Sequence, residues 1–133
     1  MTTELEPPLN RLRILQLNLN KSQKAHLDLI NGPLGKDWDV ILIQEPYITP
    51  LGHIRTPNGF TSISPQDRLL DGSDQTQSII WVNCKLSSNT WKTMNIPGNN
   101  NITAMQISTT DGRITVVNIY NDCTHSRMLA KLK

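Results

Sequence analysis

Cysteine is scarce in this chain: Cys84 and Cys123 are the only two among 133 residues, and neither belongs to a Cys-x-x-Cys pair. The opening segment MTTELEPPLNRL lacks the apolar core of a signal peptide. Both cysteines are therefore expected as reduced thiols rather than as a bridge. Long apolar runs are missing too, since no stretch reaches the roughly 18–20 consecutive apolar residues of a membrane span. These absences predict an intracellular protein, nuclear or cytoplasmic, neither secreted nor embedded in a membrane. Charge is sparse, at 18 % of residues against about 25 % in ordinary globular domains. That excludes coiled-coil and strongly charged disordered classes, and seven glycines exclude a collagen-like repeat. Thirteen basic against eleven acidic residues leave a net charge of +2, which excludes the dense basic footprint of a histone-like binder. A local nucleic-acid site stays open. What fills the composition instead is uncharged polar side chains, among them thirteen asparagines.

The length fits one ordinary domain or a portion of a larger one. Residues 1–10, with Pro7-Pro8, read as a disordered leader. Arg13 to Asn20 alternates and predicts a strand, giving Ile14 and Leu17 to a core. Ser22 is placed to cap a helix whose apolar residues Ala25, Leu27, Leu29 and Ile30 end at Asn31-Gly32-Pro33. Trp38 to Pro46 is a short apolar run with a sharp polar end, as in a strand covered on both faces. Strand, helix and buried strand begin an α/β arrangement. Tyr47 to Gln77 is loop-like, with a strand hint only at Gly59 to Ile63. Three strands are then expected at Ser78–Cys84, Ile102–Thr109 and Arg113–Tyr120. Asp111-Gly112 makes a hairpin of the last two, and His125 to Lys133 begins a helical pattern.

Three segments place polar groups at the C-terminal ends of these strands: Asn18-Leu19-Asn20, Gln44-Glu45-Pro46 and Asn118-Ile119-Tyr120-Asn121. Strand ends of α/β sheets hold side chains rigidly while leaving them open to solvent, and ligands bind there. Glu45 follows a run of buried-type residues, where a carboxylate is costly to desolvate. A hard divalent cation such as Mg²⁺ offsets that cost. Asn18 is suited to orient the carboxylate or meet a phosphate, and Tyr120 to donate a hydrogen bond to a phosphate oxygen. Taken singly, each has an ordinary role: a solvated strand terminus, a turn cap and a ring packed on the sheet. Trp38, Trp81 and Trp91 read as core rather than as base-stacking residues. Lys21, Lys24 and Arg55 stand near enough in sequence to be considered for phosphate contacts.

Together and in this order, the segments Gln16-Leu17-Asn18-Leu19-Asn20, Ile43-Gln44-Glu45-Pro46 and Val117-Asn118-Ile119-Tyr120-Asn121 resemble the first three motifs of the endonuclease/exonuclease/phosphatase superfamily. Within it they look most like the endonuclease domain of non-LTR retrotransposons, over about residues 12 to 130. The resemblance implies a deoxyribonuclease I-like α/β sandwich of two mainly antiparallel sheets flanked by helices. It implies metal-assisted hydrolysis of a DNA phosphodiester with Mg²⁺ or Mn²⁺. Glu45 would ligate the metal with Asn18 beside it, and Asn18, Glu45 and Tyr120 would be the catalytic set. Asn20, Lys21 and Asn121 would contact nucleic acid, and a reverse transcriptase encoded downstream would be the partner. Three positions after Tyr120 the family often has an asparagine, where this chain has Cys123.

The resemblance also implies a later Gly-Asp-x-Asn segment, a buried aspartate and a terminal Asp-His pair. Thirteen residues follow Tyr120, with Asp122 and His125 alone of those types. Residues 11–133 are accordingly expected as the N-terminal portion of such a domain, incomplete at the C-terminus and inactive in isolation. His125 is a weak candidate base, and His26 and His53 are weaker. Two rival readings are a lipid or inositol phosphate phosphatase relative and a non-catalytic interaction fragment or remnant of a decayed element.

Overall fold

The computed structural model describes residues 11–65, 76–96 and 101–121. The expected leader at 1–10, Asp122, Cys123, His125 and the helical pattern at 125–133 lie outside the described residues. So do 66–75 of the long loop and 97–100.

The chain begins with a strand, β1 (Ile14–Asn18), and a helix, α1 (Gln23–Ile30). The Ser22 hydroxyl accepts from the Ala25 amide at 3.1 Å and satisfies one of the unpaired donors of that helix's first turn. A single short turn of helix, α2 (Leu34–Asp37), has no counterpart in the sequence reading. It leads to β2 (Val40–Gln44), and β3 (Phe60–Ile63) and β4 (Ser78–Asn83) follow. The remaining strands are β5 (Trp91–Met94), β6 (Ile102–Thr109) and β7 (Gly112–Ile119). One sheet has the order β1-β2-β4-β3, with β1 and β2 parallel and the other pairs antiparallel. The second sheet, β5-β6-β7, is antiparallel throughout.

Alternation along β2 explains the layering. Val40 and Leu42 face the second sheet and meet Met105, Ile107 and Val116, with Ile80 and Val82 beside them. Ile41 and Ile43 face the opposite way with Ile79 and Trp81, beneath Ala25, Leu29 and Ile30 of α1. All four of these β2 side chains are buried. Each such burial stabilises by about 1.5–3 kcal/mol, and the two-sided covering expected for this run is what the structure has.

Two expectations need correction. Ile14 is 40 % exposed, and the core-facing residues of β1 are Leu15 and Leu17. Side chains two apart share a face of a strand, so Ile14 and Leu17 are not compatible as one inward set. The third strand of the second sheet, Trp91–Met94, is absent from the expected elements because its residues beyond Trp91 are exposed and its burial shows no alternation. In the β6–β7 hairpin the positive φ, 135°, falls on Gly112, which pairs with Thr109.

Strand polarity gathers one set of ends. Gln44 pairs with Ser78 and Ile63 with Ile80, so the C-terminal ends of β1, β2 and β3 lie with the N-terminal end of β4. The Ser78 hydroxyl donates to the Asn118 carbonyl at 2.7 Å, which brings the C-terminal end of β7 to the same corner. At the other end, Asp39 accepts from the Arg13 guanidinium at 3.1 Å and from its backbone amide at 2.9 Å. Those bonds fix the start of β1 against β2.

Candidate active site

The corner is built from backbone first. The Asn18 side-chain oxygen accepts from the Asn20 amide at 2.8 Å, a local turn that Asn favours. Asn20 and Lys21 are both left-handed, with φ of 52° and 55°. Their turn is tied to the chain leaving β2: the Leu19 amide donates to the Gln44 carbonyl and the Lys21 amide to the Glu45 carbonyl, both at 2.9 Å. Glu45 is itself left-handed, at φ 50°, and its amide donates to the Gln77 carbonyl at 2.9 Å. A non-glycine residue in that region costs roughly 1–2 kcal/mol. Here backbone bonds on both sides hold Glu45 in it, and the residue is half-buried.

Beneath this turn lies a buried polar junction between the sheets. Asn118, fully buried, donates through its amide nitrogen to the carbonyls of Ile43 and Ile79, each at 2.9 Å. The Gln44 amide donates to the Ile119 carbonyl at 2.7 Å. Thr103 donates to the Ser78 carbonyl at 2.6 Å. Asn18 pairs with Gln44, Glu45 follows Gln44, and Tyr120 follows the carbonyl that Gln44 holds. Asn18, Glu45 and Tyr120 are thus each a backbone neighbour of Gln44 or of Ile119, whose carbonyl Gln44 holds. Asn20, Lys21 and Asn121 are exposed around them. Among the described residues no group of three or more His, Cys, Asp or Glu side chains is placed to hold a metal ion. Beside the corner, a cleft of about 440 Å³ is lined by Ser62, Thr93, Asn95 and Thr103 with Ile63 and Ile102, without a titratable group.

This architecture has a solved counterpart. The chain is similar in structure to the endonuclease domain of TRAS1, a telomere-specific non-LTR retrotransposon, with a TM-score of 0.63 and 23 % identity. The match covers 92 % of this chain and 51 % of the other, so the chain spans about half the length of that solved domain. No family model and no curated protein sequence matches the chain. The fold is the expected deoxyribonuclease I-like α/β sandwich of two mainly antiparallel sheets.

The backbone thus places Asn18, Glu45 and Tyr120 at one corner, while other residues named from the sequence have structural partners of their own. Lys24 is engaged with Asp28 at 2.7 Å on the exposed face of α1. Arg55 is exposed, and its carbonyl serves His26. Trp81 is fully buried and Trp38 and Trp91 pack on the two cores, as expected of structural tryptophans. His26 is 1 % exposed, with both ring nitrogens hydrogen-bonded, so it is a structural group and not a base. Burial pushes its pKa below the ordinary imidazole value, further helped by the Arg55 charge, while the bond to the Arg55 carbonyl opposes the shift. The roles of Gln44, Ser78 and Asn118 are not apparent from the sequence pattern. One signal is present for Asn118: it shares strand parity with the inward-facing Val116, which puts an amide into the core where it must find partners.

Proposed function

We propose that this chain is part of a divalent-metal-dependent phosphodiester hydrolase, a retrotransposon-type endonuclease that nicks DNA inside the cell. The observation that carries the reading is the backbone placement of Asn18, Glu45 and Tyr120 at one corner, each next to Gln44 or its partner Ile119, with Glu45 held in a strained conformation. Strain of this kind collects at functional sites, where surrounding structure over-determines it. The similarity to a retrotransposon endonuclease domain supports the choice of DNA over a lipid phosphate.

The donor set fits Mg²⁺ or Mn²⁺. Mg²⁺ is commonly held by one or two carboxylates and keeps several waters, together with substrate phosphates. Glu45 supplies the carboxylate. The Asn18 oxygen spends one lone pair on the Asn20 amide and keeps a second. Charge stabilisation on the scissile phosphate is the chemistry the cation supplies when bound. Tyr120 donates from its hydroxyl to a phosphate oxygen, and Asn20, Lys21 and Asn121 engage the DNA backbone around the corner. A reverse transcriptase of the same element is the partner such a nick would serve.

Turnover by the isolated 133-residue chain is not expected. One carboxylate that binds metal does not also supply the separate base that activates water, and His26 has committed both nitrogens. A supercoiled-plasmid assay with Mg²⁺ tests this, comparing the chain with Glu45→Ala. No nicking by either is the expected outcome. Nicking that Glu45→Ala abolishes would overturn the inactivity and retain the site. Nicking indifferent to Glu45 would refute the site itself.

A further inference from the structure

His26 sits on α1, and both of its ring nitrogens reach the loop that leaves Glu45. The Tyr47 amide is necessarily a donor, so Nδ1, 3.2 Å away, is the unprotonated acceptor. Nε2 then carries the proton and donates to the Arg55 carbonyl at 2.8 Å. The ring is edge-on to Trp81 of β4, with centroids 5.5 Å apart. Ile54, next to Arg55, packs on the same core face. One neutral imidazole thus joins α1 to two points of the segment that begins two residues after Glu45.

We infer that His26 is a positioning residue that latches the Glu45–Tyr47 turn against α1, and that protonation of its ring opens the latch. The inference deepens the metal-site reading above, because the residue positioned is the proposed ligand. A doubly protonated ring presents Nδ1–H to the Tyr47 N–H, donor against donor, and the bond is lost. The groups facing the ring do not rescue the cation. Arg55 is of like charge, Tyr47 contributes an amide, and Trp81 an aromatic edge. Among the described residues no carboxylate forms an ion pair with it. The sign follows from the lowered folded-state pKa. The latch is fully in place above the ordinary imidazole value of about 6.5, and it is lost as pH falls through the lower folded-state value.

The test uses the full ¹⁵N-labelled chain without metal, and reads the hydrogen-exchange protection factors of the Tyr47 and Glu45 amides against pH. In the native protein, Tyr47 protection is expected to fall at least about tenfold between about pH 7.5 and about pH 5, tracking the ring titration of His26. His26→Asn places an amide oxygen near the position of Nδ1 without a titrating group. It should keep Tyr47 protected across that range. His26→Leu should leave Tyr47 unprotected at every pH; if that variant does not fold, His26→Asn carries the comparison alone. Tyr47 protection that is constant through the His26 titration, or that falls equally in His26→Asn, would overturn the latch. Mn²⁺ added afterwards at about pH 7.5 separates the two claims: a protected Tyr47 with no broadening at Glu45 sinks the metal reading and leaves the latch standing.

Discussion

Glu45 ties the corner together through its backbone, and the proposed function adds a role for its carboxylate. Its φ of 50° suits glycine or asparagine, and a glutamate there is held by bonds to Gln77 and Lys21. If the side chain were only a solvated strand terminus, a residue at ease in that conformation would serve as well. The strain has a measurable consequence. Glu45→Gly is expected to be more stable than Glu45→Ala by about 0.5–1 kcal/mol, because glycine escapes the left-handed penalty although its unfolded chain is more flexible. Urea midpoints of the two variants check this, and equal midpoints would mean the turn is not strained at Glu45. The position of Glu45 is legible in the sequence as a carboxylate ending an apolar run. Its left-handed backbone is not, since no glycine or asparagine marks the place.

Among the elements, β2 and α1 are readable because their signals are local: an unbroken apolar run with a polar end, and a Ser cap closed by Asn-Gly-Pro. The inward parity of β1 is not. Among the described residues the strand lies at a sheet edge, where exposed apolar residues such as Ile14 blur the alternation. Strand β5 escapes a sequence reading because a short, exposed strand has no pattern except through its partner β6. What joins the elements at the corner is long-range and cannot be read from spacing. Asn118 binds carbonyls 75 and 39 residues away, and only the folded chain brings β7 to β2 and β4. Asn118→Leu is expected to destabilise the fold by about 2–4 kcal/mol, since two buried carbonyls lose their donor. Thermal or urea unfolding measures this, and a loss below about 0.5 kcal/mol would show that the junction does not hold the sheets together.

At the scale of the molecule, the two sheets serve one corner. The Arg13–Asp39 bonds fix the far end of β1 and β2, and the Asn118 junction fixes the near end. Between them the double core leaves little room for the strand ends to shift. The α/β character is legible in the order of strand, helix and buried strand; the two-sheet sandwich is what the family resemblance implies, and similarity to a solved endonuclease domain agrees with it. The chemistry at the corner is the part that sequence and fold leave to experiment. The most direct measurement is Mn²⁺ titration of the ¹⁵N-labelled chain, observed as paramagnetic broadening of backbone amides. Broadening centred on Asn18, Asn20, Glu45 and Tyr120, and abolished by Glu45→Ala in a folded variant, is the expected result. Broadening centred elsewhere, or unchanged in Glu45→Ala, would contradict the assignment of a metal site to this corner.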